Sequence, residues 1–99
     1  MSSDVLLEQV TADLRARGFR IVERLDNRLF VAEKKERYLF YVMVEGVEVN
    51  MPTLMSVINM GETLSVQVVL ALVSNDGTVT YYFARRIRLP KNIHYAEAT

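Results

Sequence analysis

The run V-Q-V-V-L-A-L-V at residues 66–73 is interrupted by one polar side chain, Gln67. A stretch this apolar, continuous and rich in β-branched residues predicts a central strand. Asn75-Asp76-Gly77 follows it. These residue types supply positive φ and favour a tight hairpin turn. Residues 78–87 then predict the returning strand. On it Val79, Tyr81 and Phe83 share one face, and Thr80, Tyr82 and Ala84 the other. Apolar or aromatic groups on both faces imply cover from both sides, part of it supplied by another subunit.

The rest of the chain provides the covering layers. Leu6, Leu7, Val10 and Leu14 recur at helical spacing and form one apolar stripe. Ser2, Ser3 or Asp4 can cap this helix, and Gly18 suits its left-handed C-terminal position. Three strands are expected next, at residues 19–25, 29–33 and 38–44. Asp26-Asn27 turns the first into the second, and the charged loop at residues 34–37 turns the second into the third. Such short connections favour antiparallel pairing. Residues 47–49 predict a short additional strand. Pro52 suits the first turn of a second helix carrying Leu54, Val57 and Ile58, and Gly61 suits its stop. The expectation is a single α/β domain of α+β-like character over residues 1–90. Its order is α-β-β-β-α-β-β, with a mixed central sheet flanked by helices. Leu89-Pro90 ends the last strand, and residues 91–99 predict a loose tail.

Composition narrows the function. A chain of 99 residues holds one domain, and a domain this small is only modestly stable alone. Hydrophobic residues make up 51%, which leaves room for a buried interface beyond the core. Lys plus Arg number 12 and Asp plus Glu number 12, so the net charge is zero, whereas a domain gripping nucleic acid by itself is usually basic. The absence of cysteine rules out disulfides and thiolate metal sites. One histidine, His94, cannot form a histidine cluster, and no cofactor is expected. Ser2, Ser3 and Asp4 lack the pattern of a secretory leader, and no apolar run could span a bilayer, so the expected location is cytoplasmic.

Few motifs carry chemistry. Gly18, Gly46, Gly61 and Gly77 are isolated, so no phosphate-binding loop is present. His94, in the tail, is a poor base for serine catalysis. Asp26, Glu33 and Lys35 approximate the Asp, then Glu-x-Lys order of metal-dependent nucleases, in which two carboxylates hold Mg²⁺. The same residues also read as solvated hairpin ends. Arg85, Arg86 and Arg88 suit contacts to an RNA backbone, and equally a strand end kept soluble by charge. Tyr81 and Tyr82 can stack on bases or pack at an interface.

The C-terminal half resembles a known pattern. Leu64-Ser65-Val66 leads into Val68-Val69-Leu70-Ala71-Leu72-Val73, then Asn75-Asp76-Gly77, Thr78-Val79-Thr80-Tyr81-Tyr82 and Arg86-Ile87. This is similar to the end of the catalytic domain of archaeal tRNA-splicing endonucleases, a nuclease-like fold. Arg17-Gly18-Phe19, Leu29-Phe30-Val31 and Tyr38-Leu39-Phe40-Tyr41-Val42 are compatible with its earlier part. The resemblance covers most of residues 5–90, and its most specific piece runs from Ala71 to Tyr82. The family cleaves introns with a tyrosine, a histidine and a lysine. The matching places here are Ala32 or Glu33, Lys35 or Glu36, and Val66 or Gln67, and none holds the required residue.

The resemblance therefore implies a structural subunit without catalytic residues, in an enzyme built as a heterotetramer with catalytic partners. It implies pairing through the last strand and docking of the turn between the last two strands into a basic cleft. Asn75, Asp76, Gly77, Tyr81 and Phe83 become the expected partner-binding residues. The partners expected are a catalytic endonuclease subunit and, through the complex, precursor tRNA. Two other readings stay open: a small metal-dependent nuclease using Asp26, Glu33 and Lys35, and a free-standing homodimeric nucleic-acid-binding module.

Overall fold

The computed structural model describes residues 3–84, with side chains from Val5 onward. Helix α1 (Ser3–Ala16) comes first, followed by strands β1 (Arg20–Asp26), β2 (Leu29–Glu33) and β3 (Arg37–Val44). Helix α2 (Met51–Leu64) then leads to β4 (Gln67–Val73) and β5 (Val79–Ala84). The five strands lie side by side in chain order. β1–β2, β2–β3 and β4–β5 are antiparallel, and β3–β4 is parallel. A parallel neighbour needs a crossover, and α2 supplies it. The domain is thus α+β with a mixed sheet, in the expected order.

Alternation on the strands divides the core in two. Phe30, Ala32, Phe40, Val42, Val69, Ala71 and Val73 pack beneath Leu6, Leu7, Val10 and Leu14 of α1. Leu29, Val31, Leu39 and Val68 pack against Val57 of α2 on the opposite face. The inner strands β2, β3 and β4 therefore contribute buried side chains to both layers, which is why they read as continuous apolar runs. Both faces also fix register. A one-residue slip would carry Phe40, 2% exposed, to the other layer.

Local chemistry explains most boundaries. Gly18, at φ 94°, donates its N–H to the Arg15 carbonyl, and Phe19 donates to Leu14, closing α1 as expected. The helix begins at Ser3, so Ser3 and Asp4 stand in its first turn, while Ser2 lies outside the described residues. Asn50 caps α2 by accepting the Thr53 N–H at 3.2 Å, and Pro52 occupies the first turn, where its missing N–H costs nothing.

Two expectations need correction. Gly61 does not stop α2. The helix runs to Leu64, and Ser65, at φ 57°, takes the left-handed position. Gly61 is instead buried against β4. A Cβ there would overlap Val68 Cγ2 and lie 3.2 Å from the Val66 carbonyl oxygen. Its missing side chain lets the helix approach the sheet. Residues 47–49 form no strand either. β3 already has β2 and β4 on its two sides, so no ladder position beside it remains for them. Residues 85–87 of the expected last strand and the tail at residues 91–99 lie outside the described residues. Among the described residues, no helix is long and apolar enough to cross a membrane.

Gly61→Ala should destabilise the fold by up to about 2 kcal/mol, the overpacking cost against Val68 of about 1–3 kcal/mol less a gain in helix propensity of about 1 kcal/mol. Ser65→Gly should stabilise it by up to about 1 kcal/mol, by relieving the left-handed strain on a residue with a Cβ. Urea unfolding of the two variants measures both.

Candidate functional site

The two edges of the sheet differ. β1 carries the exposed charges Arg20, Glu23, Arg24 and Asp26, and its register with β2 shifts twice. Charges and irregular register both discourage pairing with another chain. β5 has neither. Its sequence VTYYFA is free of charge, its register with β4 is unbroken from Val79 to Ala84, and no described strand pairs with its outer edge. Tyr82 and Phe83 are 53% and 59% exposed.

The turn before β5 is rigidly built. Gly77, at φ 89°, donates its N–H to the Ser74 carbonyl, and Ser74 donates to Thr78. The Asp76 carboxylate accepts the Thr78 N–H at 2.9 Å, an Asx-type contact. That backbone bond holds the Asp76 carboxyl below its usual value. Glu45 accepts the Asn75 N–H, and the Gln9 amide donates to the Gly77 carbonyl at 2.8 Å. The tip is thereby tied to α1 and to the segment after β3. Asn75, Asp76 and Gly77 are all exposed on this braced tip.

At the other end of β5, on the α1 face, five aromatic rings converge. Phe19 meets Tyr38 at 6.1 Å and Phe40 at 5.8 Å between centroids, mostly edge to face. Phe40 meets Tyr81 at 6.1 Å, and Tyr38 meets Phe83 at 6.2 Å. Together with Leu14 and Val69 they line an open cleft of about 210 Å³, almost wholly apolar. Two cations stand over its rings: the Arg17 guanidinium 5.4 Å from the Tyr81 centroid, and Lys34 Nζ 5.8 Å from that of Phe19. The Tyr81 hydroxyl donates to Asp13 at 2.6 Å, and Arg17 Nε donates to the same carboxylate at 2.8 Å. The Tyr81 bond, helped by Arg17, lowers the Asp13 pKa despite partial burial. Burial first, then the Asp13 carboxylate, push the Tyr81 phenol well above its usual range.

Partner-binding Tyr81 and Phe83 thus lie beside this cleft, while Asn75, Asp76 and Gly77 lie at the far end of the same strand. The nuclease-like trio does not assemble. The pairs Arg20–Glu33 and Asp26–Leu29 put Asp26 and Glu33 at opposite ends of the β1–β2 hairpin. At about 3.3 Å per residue, the four steps from Leu29 to Glu33 separate them by roughly 13 Å. Glu33 is instead bound by Arg20 and Arg37, which lower its pKa. Lys35 is exposed in the loop that follows. Among the described residues, no cluster of His, Cys, Asp or Glu could hold a metal ion. Arg85, Arg86, Arg88 and His94 lie outside the described residues.

Sequence reading missed the contribution of Arg17, Phe19, Tyr38 and Phe40 to this cleft. Its one trace in the sequence is parity. Tyr38 and Phe40, like Tyr81 and Phe83, are two residues apart on a strand and so share a face.

Tyr81→Phe should cost about 1–2 kcal/mol near pH 7 by removing the part-buried bond to Asp13. Asp13→Asn should show the matching pH dependence. The folded pKa of Asp13 lies below its ordinary 3.8, so its contribution is complete above that value and is lost as pH falls through the lower, folded one. The variant should therefore be less stable at neutral pH and converge on the parent in acid. Thermal unfolding followed by circular dichroism across pH checks this.

Comparison with known proteins adds no identification: no protein-family model matches the chain, and no curated protein matches it.

Proposed function

We propose that the chain is a non-catalytic structural subunit of a heteromeric tRNA-splicing endonuclease, joining a catalytic subunit through β5 and the Asp76 turn. The observation that carries the assembly role is the contrast between the two sheet edges. β1 is guarded by charge and irregular register, whereas the described residues of β5, Val79–Ala84, are regular, uncharged and aromatic. An edge of the second kind is a pairing hazard unless pairing is its use. The braced turn supports the reading, because it presents the exposed Asp76 carboxylate at a fixed place without an ordering cost on docking. The choice of endonuclease rests on the resemblance over residues 5–90. Its non-catalytic role rests on Ala32, Glu33, Lys35, Glu36, Val66 and Gln67 standing where the family's triad would be. Precursor tRNA would be met through the complex.

Co-expression with candidate catalytic subunits should yield a complex that survives gel filtration. Tyr82→Lys, an exposed change on the β5 edge, should weaken that complex at least about tenfold, because a lysine guards an edge against pairing. Asp76→Asn keeps the acceptor for Thr78 and removes the charge, so it should weaken docking into a basic cleft while the chain still folds, as circular dichroism would show. No complex with any catalytic subunit, or RNA cleavage by the isolated chain, would overturn the proposal. A stable dimer of the chain that ignores every such subunit would favour the homodimeric module instead.

A further inference from the structure

Charge on the described surface is sorted by strand end. At one end of the sheet α1 closes, β1 begins, β2 ends and β3 begins. Arg15, Arg17, Arg20, Lys34, Lys35 and Arg37 stand there, and all six are exposed. The register sets Arg20, Glu33 and Arg37 in one row across three strands. Lys34 Nζ lies 5.8 Å from the ring of Phe19, which directly precedes β1. The opposite end carries Asp26, Glu45, Glu48 and Asp76, all exposed, with Arg24 and Arg28. A chain of zero net charge is therefore polar along its strands.

The basic end is not cancelled by its own acids. Three carboxylates, those of Asp13, Glu33 and Glu36, stand among the six cations. Each is already engaged. Glu33 is bound by Arg20 and Arg37, Asp13 by Arg17 and the Tyr81 hydroxyl, and Glu36 by the Tyr38 hydroxyl at 3.3 Å. Arg15, Lys34 and Lys35 form no ion pair among the described residues. Arg17 and Arg37 use Nε for their carboxylates, which leaves the Nη donors of each guanidinium for another acceptor. The described part of β5 also stops at this end, and the next residues in sequence include Arg85, Arg86 and Arg88.

The breadth of the patch indicates what meets it. Two strand spacings of about 4.8 Å put Arg20 and Arg37 roughly 10 Å apart. A nucleic-acid duplex carries one charge per about 1.7 Å of its axis, so a patch this wide meets several phosphates at once. A protein surface interleaves its acids with cations and offers no such density. Four of the six cations are arginines, whose forks suit phosphate oxygens. We propose that this end of the sheet lies along the sugar-phosphate backbone of structured RNA, with Arg15, Lys34 and Lys35 as its principal phosphate contacts. This deepens the reading of the chain as a subunit of an RNA-processing enzyme and rests on that reading for RNA over DNA. Such contacts position the RNA without selecting its sequence.

The test uses the isolated full chain. A short fluorescein-labelled RNA duplex should bind by anisotropy at low salt. The slope of log affinity against log salt should be about −3 to −5, as for three to six phosphate contacts. The double variant Arg15→Gln/Lys35→Gln should bind about tenfold or more weakly and flatten the slope by about 2, while circular dichroism shows the fold intact. Glu48→Gln changes the net charge at the other end, beyond a Debye length of about 10 Å, and should leave affinity within about twofold. No binding at low salt, or a folded double variant that binds as the parent does, would overturn the proposal. Polyglutamate displacing the duplex as well as unlabelled RNA of equal charge would also overturn it, and would mark the patch as a site for an acidic protein. A DNA duplex binding more tightly than the RNA duplex would overturn the choice of RNA. None of these results depends on whether a catalytic subunit joins β5.

Discussion

The structure depends on burying both faces of one sheet at once. β2, β3 and β4 carry Phe30, Phe40, Val42 and Ala71 toward α1, and Val31, Leu39 and Val68 toward α2. Each apolar side chain of this size taken out of water contributes about 1.5–3 kcal/mol, against a backbone ordering cost of about 1–2 kcal/mol per residue. A domain of 99 residues has little surplus. It cannot leave either face open, so the chain places one helix above and one below. The parallel β3–β4 pair follows from that demand, because the crossover that joins them is also the second covering layer.

The demand is met unequally. α1 lays four closely spaced, nearly inaccessible side chains on its face. α2 buries Val57, Ile58 and Gly61 but leaves Met51, Met55, Met60 and Leu64 exposed beside them. Its close approach depends on Gly61, because any side chain there would meet Val68. Among the described residues the weakest cover lies over β5, where Tyr82 and Phe83 are exposed. The surfaces open to a partner or ligand are therefore products of the same packing. They are what two helices leave uncovered among the described residues.

Charge is distributed to match. At one edge Arg20, Glu33 and Arg37 form an exposed ion cluster whose main effect is solubility and protection of the β1 edge. Near the other edge, Asp13, Arg17 and Tyr81 form a part-buried network in which each bond supports the next. The first cluster absorbs Glu33, which sequence order had offered as a metal ligand. The second fixes the mouth of the aromatic cleft. Similar residue types thus serve different ends, and their neighbours across the sheet decide which.

The sequence by itself determined the elements. Helical spacing gave α1, its closing glycine gave the end, and β2 and the Asn75-Asp76-Gly77 turn fall where turn chemistry places them. These signals are local, carried by residues within a turn or a strand of one another. Tertiary structure alone decided the rest. Gly61 looked like a stop because a glycine's local freedom is visible in sequence, whereas the approach of Val68 across the helix–sheet boundary is not. Residues 47–49 have strand chemistry but no ladder to join. Asp26 and Glu33 are close in sequence, yet pairing register sends them apart. Phe19 and Tyr81 are far apart in sequence, yet the sheet brings them to one cleft. The physical reason is common to all four. Propensity acts along the chain, while contact, register and exposure are set between strands and helices that the chain itself never places side by side.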